Sequence, residues 1–171
     1  MLPAQSQLDL AGYRVLRTVG HSPDRDRAVR RFSALGEHAL VWLAIGLAAA
    51  AADPARRERW ARGTRGVAVA YGLNTALKLV VRRRRPDVPG LPPLTGTPTA
   101  LSFPSAHATT SYAAARAYAP LLRDALGPGS EAPLWALAGA LAASRLYLGV
   151  HYPSDVLVGA ALGALIGGRA R

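Results

Sequence analysis

Five stretches of this chain, at about 35–52, 64–84, 105–126, 132–148 and 154–168, are apolar round the helix and carry no continuous polar stripe. A helix on the surface of a soluble domain keeps such a stripe. One without it must bury its whole circumference in protein or in lipid. Breakers fall between the stretches: Asp53-Pro54, Pro86, Gly127-Pro128-Gly129, then Gly149 and Pro153. The expected fold is therefore all-α, an integral membrane helical bundle of about five transmembrane helices. No charge-free run reaches the roughly 18–20 residues of a comfortable span. The helical core of a soluble protein is thus the competing reading. Charges that interrupt a span cost roughly 2.5–3.5 kcal/mol each at the bilayer centre, so a membrane protein keeps them for a purpose.

Upstream, residues 8–20 place Leu8, Ala11, Val15, Leu16 and Val19 on one helical face, away from Asp9, Arg14, Arg17 and Thr18. This predicts an amphipathic helix lying in the membrane interface, or else an ordinary surface helix packed on the domain. His21-Ser22-Pro23-Asp24 breaks it, with Asp24 a candidate cap for a basic helix over 25–34. The chain divides into an amphipathic, basic N-terminal segment, 1–34, and a membrane helical domain, 35–171. No secretory signal peptide is expected, because Asp9 precedes any basic residue and no early apolar core follows. Residues 86–104 carry six prolines and form a long loop, of the kind that is functional or mobile.

The formal charge is +11, and Lys78 is the only lysine. A basic balance points to nucleic acid or to an anionic membrane. Here the arginines flank the apolar stretches, which favours the membrane and leaves nucleic acid without a role. The Ala-, Gly- and Arg-rich composition suggests a GC-rich bacterial genome and a multi-pass protein of the cell membrane. Cysteine is absent, which excludes disulfides and thiolate chemistry. Both faces of the expected bundle carry similar numbers of arginines, so the positive-inside bias does not orient it.

The layout brings distant residues to one membrane face: Lys78 and Arg85, Ser105 and His107, Arg145, then His151 and Asp155. Lys78 and Arg85 are two helical turns apart and share a face. Arg offers a planar donor fork for phosphate oxygens and Lys a point charge. Ser105 and Ala106 open a helix whose free amides favour an anion. Lys78 could instead snorkel, and Arg82, Arg83 and Arg84 could be a headgroup cluster. Asp155, four residues after His151, can hold one ring nitrogen and leave the other free to attack. His107 can supply a proton to a leaving group. A metal held by His107, His151 and Asp155 is the rival reading, disfavoured by the surrounding cations. His21 and His38 read as structural.

Lys78…Arg85-Pro86, Pro104-Ser105-Ala106-His107 and Ser144-Arg145…His151…Asp155 resemble the three signatures of the type 2 phosphatidic acid phosphatase family, K-x6-R-P, P-S-G-H and S-R-x5-H-x3-D, in order and in spacing. Ala106 replaces the usual Gly but keeps its N–H. The family usually has six membrane helices, so the amphipathic N-terminal helix stands in for the first. The resemblance implies that His151 is a nucleophile forming a phosphohistidine, oriented by Asp155, and that His107 is the general acid. It implies that Lys78, Arg85, Ser105, Arg145 and the Ala106 backbone hold the phosphate. No metal or cofactor is required. The same constellation occurs in the larger, soluble vanadium haloperoxidases. The expected activity is hydrolysis of a membrane lipid phosphate. Candidate substrates are a polyprenyl pyrophosphate, phosphatidylglycerophosphate, phosphatidate and a polyprenyl-linked phosphosugar. Size and composition also resemble the family's decaprenylphosphoryl phosphoribose phosphatases. A non-catalytic lipid-phosphate binder is the alternative.

Overall fold

A computed structural model describes residues 7–170 of the chain. Arg171 and residues 1–6 of the N-terminal segment lie outside the described residues. The described residues form seven α-helices: α1 (Gln7–Thr18), α2 (Pro23–Ala34), α3 (Leu40–Ala52), α4 (Arg57–Val81), α5 (Ala106–Leu126), α6 (Ala132–Tyr147) and α7 (Pro153–Arg169). Their boundaries follow the breakers, with four departures from the sequence expectations. The cap of α2 is Ser22, whose hydroxyl accepts from the Arg25 amide at 3.3 Å, rather than Asp24. The first long stretch bends between α2 and α3, where His38 and Ala39 take left-handed φ of 51° and 61°. Each such residue costs roughly 1–2 kcal/mol. The second stretch starts earlier than expected: residues 57–63 are helical, and the turn is only Pro54–Arg56. It also ends earlier than expected, at Val81 rather than before Pro86: Arg82 turns left-handed and its amide bonds the Lys78 carbonyl at 2.9 Å, so Arg85 lies beyond the helix and shares no helical face with Lys78.

Helix α5 is the hub, packed against α4, α6 and α7. Small residues let the helices approach closely. Gly163 and Gly167 lie flat on the α5 backbone, so a Cβ at either would run into the Thr109 or Ala113 carbonyl. The buried core is dominated by alanine (Ala108, Ala113, Ala114, Ala115, Ala117, Ala138), with Trp42, Trp60 and Tyr118 between α3, α4 and α5. Their polar edges are satisfied: the Trp42 indole donates to Ser111 Oγ at 2.9 Å, and the Tyr118 hydroxyl reaches Thr64 Oγ1 at 3.2 Å. Leu121, Leu141, Leu148, Val67 and Val150 are buried with them, while many other large aliphatic side chains face outward and ring the bundle, including Leu47, Val69, Leu79, Val80, Leu157 and Leu165.

Helix α1 also turns large apolar residues outward. Its polar side, Asp9, Tyr13 and Arg17, is buried against the bundle, while Leu8, Val15 and Val19 are 84%, 61% and 67% exposed. A surface helix packed by its apolar face would show the reverse. Gly149, at φ 69°, makes this docking possible, because a Cβ there would lie 2.6 Å from the Arg17 side chain and 2.9 Å from the Tyr13 hydroxyl. Among the described residues no single helix is long and apolar enough to cross a membrane. One bent pair, Pro23–Ala34 with Glu37–Ala52, meets that length and composition at a 44° break.

The proline-rich segment between α4 and α5 is tied down along its length. Arg85 N bonds the Ala100 carbonyl at 3.1 Å and Ser102 N the Arg83 carbonyl at 2.8 Å. The Tyr13 hydroxyl donates to the Leu91 carbonyl, Arg17 to that of Pro92 and Arg30 to that of Leu94. These bonds hold it across the end of the bundle where α4 stops and α5 and α7 start.

Candidate active site

That end of the bundle holds a cavity of about 120 Å³ whose lining includes Lys78, Arg85, Ala106, His107, Arg145 and His151. Four different segments deliver these side chains, so the convergence expected from the helix layout is present in the fold. Lys78, 8% exposed, donates to the Leu101 and Ser102 carbonyls at 3.2 and 3.1 Å, so one of its three hydrogens stays unclaimed. Arg85, four residues beyond the end of α4, is braced by the Thr99 carbonyl at 2.8 Å and the Val150 carbonyl at 2.7 Å. Burial, followed by the nearby Arg145 charge, pushes its pKa down to about 10, which leaves it a cation at neutral pH. Arg145, in the last turn of α6, donates to Ser33 Oγ at 2.7 Å.

Two buried polar groups in this set have no partner: the Nε of Arg145 and the hydroxyl of Ser105. Ser105 caps α5, its amide bonded to the Asp155 carbonyl at 2.9 Å. A buried polar group without a partner costs about 1–3 kcal/mol. Cations and orphaned donors gathered at a helix N-terminus are what a phosphate or similar anion would satisfy.

The partners of the His151 ring fix its tautomer. Nε2 lies 3.2 Å from Arg85 Nη1, a group that can only donate, so Nε2 holds a lone pair. Nδ1 lies 3.4 Å from Asp155 Oδ2 and carries the hydrogen, although the contact is long. Burial, then the Arg85, Lys78 and Arg145 charges, holds the His151 pKa well below the usual histidine value. The result is a neutral imidazole with its basic nitrogen toward the cavity's cations. Asp155, at the third position of α7, also accepts the Tyr152 amide at 2.8 Å, which fixes the carboxylate against the turn that carries His151.

His107 presents a different arrangement. Its Nε2 lies 2.9 Å from the Ser33 carbonyl, which only accepts, so Nε2 bears the hydrogen. Donation to a leaving group therefore requires the imidazolium, with a second proton on Nδ1. Ser33 also receives Ser144 Oγ at 2.9 Å, so one residue of α2 ties His107, Ser144 and Arg145 together. Nothing local in the sequence marks Ser33.

Arg83 is not part of a headgroup cluster. Its side chain is 13% exposed and pairs with Asp155 Oδ1 at 2.8 Å and Asp9 Oδ2 at 2.7 Å. His21 is structural, bonded to Asp26 at 3.0 Å. His38, read as structural from sequence, lines the cavity mouth and bonds the Tyr71 hydroxyl at 2.8 Å. Among the described residues no group of three or more His, Asp or Glu side chains is disposed to hold a metal.

Known proteins share the sequence and fold of this chain. Residues 65–170 match the sequence profile of the PAP2 superfamily. The chain is 46% identical over 139 residues to a decaprenylphosphoryl-5-phosphoribose phosphatase of Mycobacterium tuberculosis, covering 81% of this chain and 74% of that protein. Among solved structures it resembles a transmembrane PAP2-type phosphatidylglycerolphosphate phosphatase from Bacillus subtilis, with TM-score 0.78, 25% identity, and 95% and 82% of the two chains covered. It also resembles LpxE of Aquifex aeolicus, with TM-score 0.74, 26% identity, and 99% and 98% covered.

Proposed function

Because the chain belongs to the PAP2 superfamily, we propose that it is a bacterial membrane phosphatase that releases inorganic phosphate from a lipid phosphate through His151. The observation that carries this reading is the His151 tautomer, with its Nε2 lone pair aimed among Arg85, Lys78 and Arg145. A bound phosphate would draw the Arg85 guanidinium onto its oxygens and uncover Nε2. Attack at phosphorus then forms an Nε2–P bond and breaks the P–O bond to the lipid moiety. The cations and the α5 amides stabilise the charge on the equatorial oxygens. The leaving oxygen takes the Nδ1 proton of His107, which enters this step as the imidazolium and leaves it neutral. In the second step His107 accepts a proton from water as that water attacks phosphorus, and phosphate leaves with the electron pair returned to Nε2. No step calls for a metal.

The substrate we favour is a polyprenyl-linked 5-phosphosugar of the decaprenylphosphoryl phosphoribose class. The 46% identical mycobacterial relative bears that name. The cavity mouth supports the same class, because Glu37, His38, Tyr71, Thr75 and Thr99 surround the phosphate site with groups suited to sugar hydroxyls. The membrane setting is supported by the large aliphatic residues that ring the bundle and by the apolar outer face of α1.

The test is phosphate release by purified protein in detergent. The substrates are a polyprenyl phosphoribose, a polyprenyl pyrophosphate, phosphatidylglycerophosphate and phosphatidate. The phosphosugar should be preferred, His151→Ala should reduce turnover to background in a folded protein, and EDTA should have no effect. Preference for a diacyl lipid would overturn the substrate class. Activity lost to EDTA and restored by magnesium or zinc would overturn the mechanism. No release from any of the four would make the chain a lipid-phosphate binder.

A further inference from the structure

The three motifs leave Arg83 unassigned; it is the fifth of the six unspecified residues between Lys78 and Arg85. Asp9 lies far upstream of all of them. Asp9 is buried and Arg83 nearly so, and Arg83 links Asp9 to Asp155. The Arg83 fork places Nη1 2.8 Å from Asp155 Oδ1 and 2.7 Å from Ser154 Oγ, and Nη2 2.7 Å from Asp9 Oδ2. Asp9 in turn accepts the Ser154 hydroxyl at 2.6 Å and the Ser154 amide at 2.9 Å. The guanidinium carbon sits 4.2 Å over the Tyr152 ring.

We propose that Arg83 is a positioning residue for the nucleophile and that Asp9, from α1, holds Arg83 in place, so that the N-terminal helix completes the His151–Asp155 pair. The proposal rests on His151 being the attacking group. Asp155 is fully buried and has two oxygens with separate tasks. Oδ2 faces His151 Nδ1 and the Tyr152 amide; Oδ1 has Arg83. Lys78 and Arg85, the other nearby cations, are turned to the cavity and its carbonyls. Arg83 is therefore the cation that neutralises this carboxylate and sets its rotation. Only a planar fork can meet Asp155, Ser154 and Asp9 at once, a geometry a lysine cannot supply. Without Asp9 the same guanidinium would be free to turn off Asp155. Removing one member of a buried charge set strands the remainder, which makes the chain of contacts all-or-none.

The experiment is steady-state phosphate release by the full-length protein in detergent, with Arg83→Met, Arg83→Lys and Asp9→Asn made in the wild-type and Asp155→Asn backgrounds. The expected result is a fall in kcat of about 10- to 100-fold for Arg83→Met and about 3- to 10-fold for Asp9→Asn, with KM within about threefold, by analogy with residues that orient a catalytic ligand. Arg83→Lys should recover part of the loss. In the Asp155→Asn background Arg83→Met should cost less than about threefold, because its route through the carboxylate is gone. An unchanged kcat in folded Arg83→Met, a raised KM with kcat intact, or equal losses in both backgrounds would overturn the proposal. If Arg83→Met fails to fold, the nearly isosteric Asp9→Asn decides by the same criteria. Nitrogen-15 shifts of His151 read the geometry without turnover: one Nδ1–H tautomer in the wild type, mixed tautomers in Asp9→Asn. A wild type that releases no phosphate yet shows that difference would remove the proposed function and keep the positioning role. A single tautomer in both proteins would overturn the positioning role.

Discussion

His151 is held neutral by burial and by the cations before it, and this has a measurable cost. Its pKa in the folded protein lies below the ordinary value of about 6.5. Between the two values the unfolded chain binds a proton that the folded chain does not, so stability rises with pH there. The melting temperature of the ligand-free protein should accordingly be highest above about pH 6.5 and decline as the solution is acidified toward the folded pKa. His151→Gln should flatten that decline, and an equally steep decline in the variant would place its origin elsewhere. The arginine run shows how far single residues were legible. Arg82 closes α4 with left-handed backbone, Arg83 pairs with Asp9 and Asp155, Arg84 backs onto Leu101, and Arg85 meets His151. Arg85 was legible from the K-x6-R-P pattern, but not from helical geometry, because α4 ends at Val81 and Arg85 reaches the cavity from the segment beyond it. Arg83 was hidden because its partners come from α1 and α7, and a run of like charges does not reveal which member turns inward. Asp9, Tyr13 and Arg17 did recur every four residues, but polar residues on one helical side ordinarily mean solvent.

At the scale of elements, the α5–α7 seam matters most. His107 stands at the start of α5, and His151 immediately precedes α7. The backbones touch where Gly163 meets the Thr109 carbonyl and Gly167 that of Ala113, so the offset between the two histidines is set by glycine rather than by side chains that could repack. Gly163→Ala should lower stability by about 1–3 kcal/mol, the usual range for overpacking. It should also depress turnover, read by thermal unfolding and phosphate release on the same preparation. Full activity and stability in Gly163→Ala would mean that the helices can slide. The five apolar stretches were readable because proline and glycine mark their ends. The kink at His38 and Ala39 was not, since alanine disfavours left-handed backbone and a lone histidine is a weak signal for it; tertiary packing imposes it.

On the scale of the whole molecule, α1 divides its surface three ways. Asp9, Tyr13 and Arg17 face the bundle, Leu8, Val15 and Val19 face outward, and Arg14 and Thr18 occupy a third, exposed side. The chain has no cysteine, so single-cysteine variants carry a fluorescent reporter without background. In lipid vesicles, reporters at Leu8, Val15 and Val19 should shift toward an apolar spectrum, while those at Arg14 and Thr18 should read water. Identical spectra at all five positions would exclude an interfacial helix. Because α1 docks beside the turn that carries His151, this boundary also locates the cavity mouth. The two products of the proposed reaction then separate into different phases at the moment of cleavage: the lipid alcohol dissolves sideways, and phosphate dissolves into the aqueous layer. Each product leaves down its own concentration gradient, and reversal requires both to meet again at one mouth. Hydrolysis would be driven forward by where the site sits as well as by the bond it breaks.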